Sequence, residues 1–158
     1  MKKLLKLLEK DAHISAGELA LMCEKEEGDI KKMIEDFENK GVILGYTTVI
    51  DWDKTDTEYV NALIELKVTP RVGSGYDEIA ERIYNYPEVE SVYLMSGGYD
   101  LTVMLRGKTM REVAIFVAAK LATIEAVTST ATHFVLRKYK DHNVIFGGAP
   151  VDERGNIL

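Results

Sequence analysis

The stretch VESVYLMSGGYDLTVMLR, residues 89–106, decides the fold of this chain. Apolar and polar residues alternate on both sides of a Ser-Gly-Gly sequence at residues 96–98, which is the pattern of two half-buried strands joined by a turn. On the second strand, every other residue from Leu101 to Leu105 is apolar and shares one face. Because glycine adopts positive φ without steric cost, we expect the turn at residues 96–98 to be tight.

Helices and strands are predicted on both sides of this hairpin. Apolar residues recur at three- and four-residue spacing over residues 76–86 and 109–123, which predicts two helices. Strand-like runs lie outside them, at residues 59–69 and 127–139. The order strand, helix, strand, strand, helix, strand is that of the ferredoxin-like βαββαβ arrangement. It covers one sheet face with helices and leaves the other face open for a partner.

Three short helices are predicted in the first 45 residues. The first ends near residue 11, and Ser15 with Glu18 fits a capping box at the start of the second. A charged break at residues 24–28 precedes the third helix, which Gly41 is expected to end as its C′ residue. Two helices joined by a short turn indicate a helix-turn-helix whose last helix enters a DNA major groove, although any small three-helix bundle gives a similar pattern.

The remaining segments connect these two parts of an α+β chain. Residues 42–50 are strand-like, and a loop is expected at residues 70–75. We therefore predict a helix-turn-helix DNA-binding domain at 1–45, a linker strand and loop at 46–58, a ferredoxin-like ligand-sensing and oligomerisation domain at 59–140, and a C-terminal arm or tail at 141–158.

Composition excludes several classes of protein. No apolar run approaches the ~20 residues of a membrane helix, so we expect a cytoplasmic protein without membrane contact. The single cysteine excludes an internal disulfide and a cysteine-cluster metal site, and the three histidines are widely spaced. We therefore assign no metal, no cofactor and no catalytic residue. The net charge of −6 argues against a surface that is basic throughout, but permits a local basic patch.

Four motifs carry a resemblance that extends from about residue 4 to about residue 140. They are Gly41-Val42-Ile43-Leu44-Gly45-Tyr46, Tyr86-Pro87-Glu88-Val89, Gly98-Tyr99-Asp100-Leu101 and Thr128-Ser129-Thr130-Ala131-Thr132. In this order the chain resembles the Lrp/AsnC, or feast/famine, family of bacterial and archaeal transcription regulators. The resemblance implies a winged helix-turn-helix joined by a linker strand to a ferredoxin-like effector domain. It also implies dimers formed through the sheet, their assembly into octamers, and a response to amino acids or related small acids.

The hairpin turn is the candidate effector site. Successive glycine N–H groups can line a concavity for a carboxylate, and Asp100 can pair with an ammonium group, so a free amino acid fits the chemistry. Small polar residues of the last strand can line the same cleft. The alternatives are a plain hairpin turn and ordinary β-branched strand residues. The candidate effector-binding residues are Ser96, Gly97, Gly98, Tyr99, Asp100, Thr128, Thr130 and Thr132.

Double-stranded DNA is the second expected partner. Residues 1–45 hold eight lysines, ten acidic residues and no arginine, so their net charge is −2. Lys31 with Glu35, and Lys32 with Asp36, are predicted to pair at four-residue spacing. The candidate phosphate contacts are Lys25, Lys31, Lys32 and Lys40, and the alternative for them is a solvated helix face.

DNA binding of this domain is expected to be weak and dependent on salt or on avidity. No arginine precedes Arg71, so the domain lacks the side chain that most often contacts guanine bidentately. The alternative function is a ligand-sensing or adaptor protein of the same architecture with weakened or lost DNA binding. An enzyme is not expected: some relatives of this architecture are haem-precursor decarboxylases, whose cleft motifs are rich in histidine and arginine, and the central segment MSGGYDLTVML has neither.

Overall fold

A computed structural model describes residues 2–69 and 75–147 of the chain. These residues form two compact units, the first comprising residues 2–50 and 140–145 and the second comprising the described residues of 51–139 with 146–147. The boundary at residue 50 falls inside the predicted linker. Residues 70–74 of the predicted loop at 70–75, and residues 148–158 of the predicted arm or tail, lie outside the described residues.

The first unit begins with three helices, α1 (Lys2–Lys10), α2 (Ala16–Cys23) and α3 (Glu27–Asn39). The predicted capping box of α2 is confirmed: the Ser15 hydroxyl accepts the Glu18 N–H at 3.2 Å, and the Glu18 carboxylate accepts the Ser15 N–H at 3.0 Å. The helix α3 starts earlier than predicted, since Gly28 lies in its first turn rather than in a break. The buried side chains of this unit are Leu4, Leu19, Ala20, Ile30 and Phe37.

Both α2 and α3 end on a residue with positive φ, Glu24 at 54° and Gly41 at 64°. After each, the next N–H bonds to the carbonyl five residues earlier, at 3.0 Å and 2.8 Å. This is the Schellman geometry, and it confirms the predicted C′ role of Gly41. Glutamate is an unusual occupant of this conformation, because a side chain in the left-handed region has a steric cost that glycine lacks.

The predicted strand at residues 42–50 is not formed. Val42 and Ile43 instead donate their N–H groups to the carbonyl of Phe37 and so belong to the end of α3. A strand needs a neighbouring backbone to pair with, and the described part of the chain places none beside this segment. Leu44 is consequently 92% exposed.

The second unit is the predicted βαββαβ domain. Its elements are β1 (Val60–Val68), α4 (Asp77–Tyr84), β2 (Val89–Leu94), β3 (Leu101–Gly107), α5 (Met110–Phe116) and β4 (Val127–Phe134). The four strands form an antiparallel sheet in the order β2-β3-β1-β4. This order confirms the ferredoxin-like fold. Within residues 2–69 and 75–147, the structure contains no helix that could span a lipid bilayer.

One face of the sheet packs against the helices. Ala62, Ile64 and Leu66 of β1 are fully buried on this face. Their cross-strand partners on β3 are Leu105, Val103 and Leu101, respectively. The opposite face, which we call the open face, carries the alternate residues of each strand. Among the described residues, fourteen buried apolar side chains form the core of this unit: Ala62, Ile64, Leu66, Val68, Ile79, Ile83, Leu101, Val103, Leu105, Val113, Phe116, Val117, Leu121 and Ile124.

The ends of the last helix and last strand differ from the predictions. The helix α5 continues into a π-helical turn, Val117–Leu121, so it is not regular throughout 109–123. The strand β4 ends at Phe134 rather than at residue 139. A small hairpin, β5 (Lys140–Asp141) and β6 (Val144–Ile145), spans the start of the predicted arm or tail at 141–158. Its two turn residues, His142 and Asn143, both have positive φ, as a two-residue hairpin of this type requires.

Candidate effector and DNA-binding sites

The predicted tight turn between β2 and β3 is a six-residue connection, residues 95–100. Met95 donates its N–H to the Asp100 carbonyl at 2.8 Å, and this bond closes the loop. Neither Gly97 nor Gly98 has positive φ, so the expected glycine conformation is wrong. The wider loop does not need it, because its closing bond spans five residues and leaves the backbone less constrained than a two-residue turn does.

Asp100 ties this loop to the end of β1. Its N–H donates to the Leu66 carbonyl at 3.0 Å, and its carboxylate accepts the Val68 N–H at 2.9 Å. Val68 lies where the register between β1 and β4 shifts, so the carboxylate supplies an acceptor at a local irregularity of the sheet. Asp100 therefore has a structural role, and its partners lie on a different strand rather than within the turn.

Thr128 lies on the other side of the same end of β1. Its hydroxyl donates to the Lys67 carbonyl at 3.1 Å, next to the residue that Asp100 contacts. The Asp100 carboxylate and the Thr128 hydroxyl therefore bind the same peptide unit of β1, one at the Val68 N–H and the other at the Lys67 carbonyl. The fold thus brings two of the predicted effector residues to one end of the sheet.

Thr130 and Thr132 lie farther along the edge strand β4, away from this end of the sheet. They pair with Leu66 and Ile64, and therefore lie on the helix-covered side of the sheet rather than on the open face. Thr132 is about 13 Å along the strand from Thr128, given a rise of about 3.3 Å per residue. The four-residue separation leaves Thr132 farthest from the loop.

The middle of the loop is open to solvent. Ser96, Gly97 and Gly98 are exposed, while Tyr99 and Asp100 are half-buried. A Cβ atom added at either glycine would meet nothing within 4 Å. The chain itself therefore does not require glycine at these two positions, and both residues are exposed to solvent.

A separate cavity lies at the opposite end of the β2–β3 hairpin. It has a volume of about 290 Å³, and buried Leu105, Val113 and Phe116 form much of its wall, with Glu88 and Lys120 also lining it. The predicted effector residues do not line this cavity. The candidate effector site is therefore distinct from this cavity.

Two of the four candidate DNA-contacting lysines form ion pairs. Lys31 pairs with Glu27 at 2.5 Å, and Lys40 pairs with Asp36 at 2.7 Å. The predicted pairs of Lys31 with Glu35 and of Lys32 with Asp36 are wrong. Helical side chains lean toward the helix N-terminus, so a lysine reaches an acid four residues before it more readily than one four residues after it.

Lys25 and Lys32 make no ion pair within residues 2–69 and 75–147, and both are exposed. Lys25 lies in the turn between α2 and α3, and Lys32 lies on α3. The first turn of α3 carries Glu27 and Asp29. These acids interact favourably with the helix dipole, but they repel phosphate from the helix N-terminus. Because Lys25 and Lys32 make no ion pair among the described residues, they are better candidates for phosphate contact than Lys31 and Lys40.

Sequence reasoning missed two charged clusters of the second unit. His133 and Glu65, both on the open face, approach to 3.0 Å between Nε2 and Oε2. Arg106 forms an ion pair with Glu90 and also lies over two aromatic rings. Neither contact is visible along the chain, since each joins residues of different strands. Only the strand register, once known, brings them together.

Comparisons with known proteins agree with this architecture. A sequence family described as the Lrp/AsnC ligand binding domain matches residues 61–145. The chain is 45% identical over 153 residues to YugG of Bacillus subtilis, an uncharacterized HTH-type transcriptional regulator, covering 96% of this chain and 92% of that protein. It is 31% identical over 140 residues to the HTH-type transcriptional regulator FL11 of Pyrococcus horikoshii, covering 89% of each.

A solved structure shares the fold at lower sequence identity. The transcriptional regulator NMB0573 of Neisseria meningitidis, in complex with L-Met, superposes with a TM-score of 0.71 at 19% identity, covering 88% of this chain and 89% of that one. At this identity the likeness concerns the fold. The family match covers more than half of the chain, and the match to YugG covers almost all of it. This chain is a member of the Lrp/AsnC family of transcriptional regulators.

Proposed function

We propose that this protein is a DNA-binding transcriptional regulator whose DNA affinity or assembly changes when an amino acid, or a similar small molecule, binds between subunits at loop 95–100. The observation that carries the proposal is the arrangement at the end of β1. There the exposed glycine loop, the Asp100 carboxylate and the Thr128 hydroxyl lie around one strand end. The family of the chain supplies the regulatory context.

The ligand chemistry follows from the loop. The N–H groups of the exposed residues Gly97 and Gly98 suit a carboxylate, and Asp100 suits an ammonium group, so a zwitterion satisfies both. One Asp100 oxygen is engaged by the Val68 N–H, and the carboxylate has a second oxygen for a ligand. The L-Met bound to the Neisseria regulator supports an amino acid as the ligand class.

Subunits of the proposed homodimer meet through the open face of the sheet. Leu63, Met104 and Ala131 are half-buried apolar residues of this face. Association would bury them. Dimers would then assemble into octamers, and ligand bound between subunits would shift that equilibrium only if it binds the two states unequally.

Two variants of Asp100 test the effector site. Asp100→Asn keeps an oxygen that can accept the Val68 N–H but removes the charge, whereas Asp100→Ala removes both. Thermal-shift screening against the twenty amino acids, combined with native mass spectrometry of the assembly, should identify a ligand of the wild type. We expect Asp100→Asn to lose the ligand response with little loss of stability, and Asp100→Ala to lose the response and stability. A ligand response that survives in both variants contradicts the assigned site.

A substitution at Gly98 tests the site with a smaller structural change. Gly98→Ala adds a methyl group that meets nothing in the chain, so folding should be unaffected. A methyl group beside the N–H concavity would still obstruct a bound carboxylate. We expect weaker ligand binding at unchanged stability. Gly45→Ala, which also has open space around the added Cβ, is the control.

DNA binding is tested by salt dependence. The proposal assigns phosphate contacts chiefly to Lys25 and Lys32, with Lys31 and Lys40 weakened by their ion pairs. Binding to DNA from upstream of the protein's own gene should therefore be detectable at low salt and fall steeply as salt rises. Lys32→Glu should weaken binding and reduce the slope of log K against log salt by about 1 for each subunit in contact. Lys108→Glu, outside the first unit, is the matched control.

A ligand-sensing or adaptor protein without DNA binding is the second candidate. The ion pairs of Lys31 and Lys40, together with the acids at the start of α3, favour it. If charge reversal at Lys25 and Lys32 leaves DNA affinity unchanged while amino acids still bind, this function replaces the first. In either case the proposal includes a cytoplasmic location, no enzymatic activity, and no metal or cofactor.

A further inference from the structure

The cavity at the far end of the β2–β3 hairpin lies between α5 and the end of β3, within the second unit. Its buried wall is apolar and consists largely of Leu105, Val113 and Phe116. Its volume of about 290 Å³ is nearly twice that of an apolar protein cavity of about 150 Å³ that holds benzene. One aromatic ring or one short branched chain, together with a small polar group, therefore fits this space.

Small side chains and an irregular helical turn border the cavity. Gly107 and Ala119 both line it. The turn Val117–Leu121 is π-helical, because Ala122 donates its N–H to the carbonyl five residues earlier, at 2.8 Å. Single π turns inside helices are rare and occur frequently at functional sites. Here the turn supplies two of the lining residues, Ala119 and Lys120, one small and one charged.

Two carboxylates at the cavity are available to a ligand. Glu112 accepts the Lys108 N–H through one oxygen at 2.8 Å, which leaves its second oxygen for another donor. Glu88 is exposed, and its side chain makes no ion pair or hydrogen bond within residues 2–69 and 75–147. These oxygens only accept hydrogen bonds, so they suit a donor that carries positive charge.

The two basic residues that line the cavity already have partners. The Arg106 guanidinium pairs with Glu90. The Lys120 ammonium lies 5.9 Å from the centroid of the Tyr86 ring, and Tyr86 does not line the cavity. The charge that remains unpaired at the cavity is therefore negative, and it favours a cationic ligand over an anionic one.

We propose that this cavity binds a small primary amine with an apolar body, such as an arylalkyl or a branched alkyl amine. The ring or chain packs against the buried wall, and the ammonium group is attracted to the carboxylates of Glu88 and Glu112. This site lies within one chain and shares no residue with loop 95–100. It does not depend on the proposed function, and it would persist in a chain that binds neither DNA nor amino acids.

The first test compares ligands that share a body and differ in the polar group. Isothermal titration of the full chain at low ionic strength uses phenethylamine, phenethyl alcohol and phenylacetate, and then isoamylamine against isovalerate. The amine should bind most tightly in each set, and the carboxylate most weakly, because the unpaired charge is negative. Absence of binding by both amines at millimolar concentration would overturn the proposal. Carboxylates that bind as tightly as the matched amines would also overturn it.

The second test fills the cavity from its exposed side. Ala119 is exposed, so Ala119→Leu adds volume at the cavity without burying it in the core, and it should abolish amine binding. Ala118→Leu is the matched control, since Ala118 is an exposed alanine of the same turn that does not line the cavity. Circular dichroism checks that both variants are folded. Equal amine affinity in the two variants would contradict the assigned site.

The third test removes charge and does not depend on packing. Glu88→Gln should weaken amine binding by about two- to fivefold and leave phenethyl alcohol unaffected. Glu78→Gln, at an exposed glutamate of α4, is the control. Asp100→Asn separates this cavity from loop 95–100 and should bind the amine as tightly as the wild type does. Loss of amine binding in Asp100→Asn, with none in Glu88→Gln, would place the amine at the loop and overturn the proposal.

Discussion

The two units of this protein differ in where their order comes from. The first unit is specified by signals close together along the chain, such as the Ser15–Glu18 capping box and the C′ residues Glu24 and Gly41, and it has five buried apolar side chains among the described residues. The second is specified by strand register between distant residues and has fourteen. The difference teaches that the proposed sensing unit carries most of the hydrophobic stabilisation, whereas the proposed DNA-binding unit is a small, highly charged body.

Truncation of a core side chain should give the largest difference in unfolding behaviour between the two units. Ile30 and Ile64 are both fully buried, one in each core. Replacing either by alanine should cost about 2–5 kcal/mol of unfolding free energy. Denaturation followed by Trp52 fluorescence reports the second unit, and far-UV circular dichroism reports both.

We expect Ile64→Ala to lower the midpoint of the Trp52 transition. Ile30→Ala should instead lose helical signal at lower denaturant and leave the Trp52 transition in place. An equal shift of the Trp52 transition in both variants would mean that the units unfold as one cooperative block, and the comparison between them would fail.

A smaller effect is expected from overpacking the second unit. A Cβ at Gly107 would lie 2.9 Å from Cγ2 of Val113, which is buried and cannot easily move. Gly107→Ala should therefore cost about 1–3 kcal/mol. The matched control is Gly97→Ala in the same unit, where the added atom has no neighbour within 4 Å. Equal unfolding free energies of the two variants would show that the Val113 side chain moves aside without a loss of stability.

The two helix ends of the first unit should respond in opposite directions. Gly41→Ala places a side chain at φ +64° and should cost about 1 kcal/mol. Glu24→Gly relieves the same conformation at φ 54° and should gain about 0.5 kcal/mol after the higher entropy of glycine in the unfolded chain is subtracted. Far-UV circular dichroism during denaturation measures both. Destabilisation by Glu24→Gly would indicate that the glutamate side chain contributes more than its conformation costs.

The smallest effect concerns pH. Hydrogen bonds from the hydroxyl and N–H of Ser15 lower the pKa of Glu18 below its usual 4.5. A carboxyl whose pKa is lower in the folded state stabilises the fold above its unfolded pKa, and this contribution is lost as pH falls through the folded pKa. The difference in unfolding midpoint between the wild type and Glu18→Gln should therefore be present at neutral pH and close in acid. A difference that is constant with pH would exclude a role for the charge.

Sequence reasoning was strongest where structure depends on neighbours along the chain. The capping box at Ser15, the C′ role of Gly41 and the βαββαβ order were all predictable from residue spacing. It failed where a distant residue decides the outcome. The β2–β3 connection is wide because Asp100 bonds to β1, and residues 42–50 form no strand because no backbone lies beside them among the described residues.

The candidate sites show the same division. The chemistry of Asp100 and the lysines could be inferred from residue type, but their partners could not. Lys31 pairs backward along its helix with Glu27, and Thr128 bonds to Lys67 across a strand pair. The contact of Arg106 with Trp52 joins residues 54 positions apart, and nothing in the sequence near either residue indicates it.

The most direct test of the account is the DNA dissociation constant with and without the amino acid that stabilises the protein most, measured on wild type and Asp100→Asn in parallel. Coupling between sites is typically worth about 5–150-fold in affinity. We expect at least about a fivefold change in the wild type and none in Asp100→Asn. A wild type that binds both the amino acid and DNA, yet holds DNA equally well in either condition, would contradict the account.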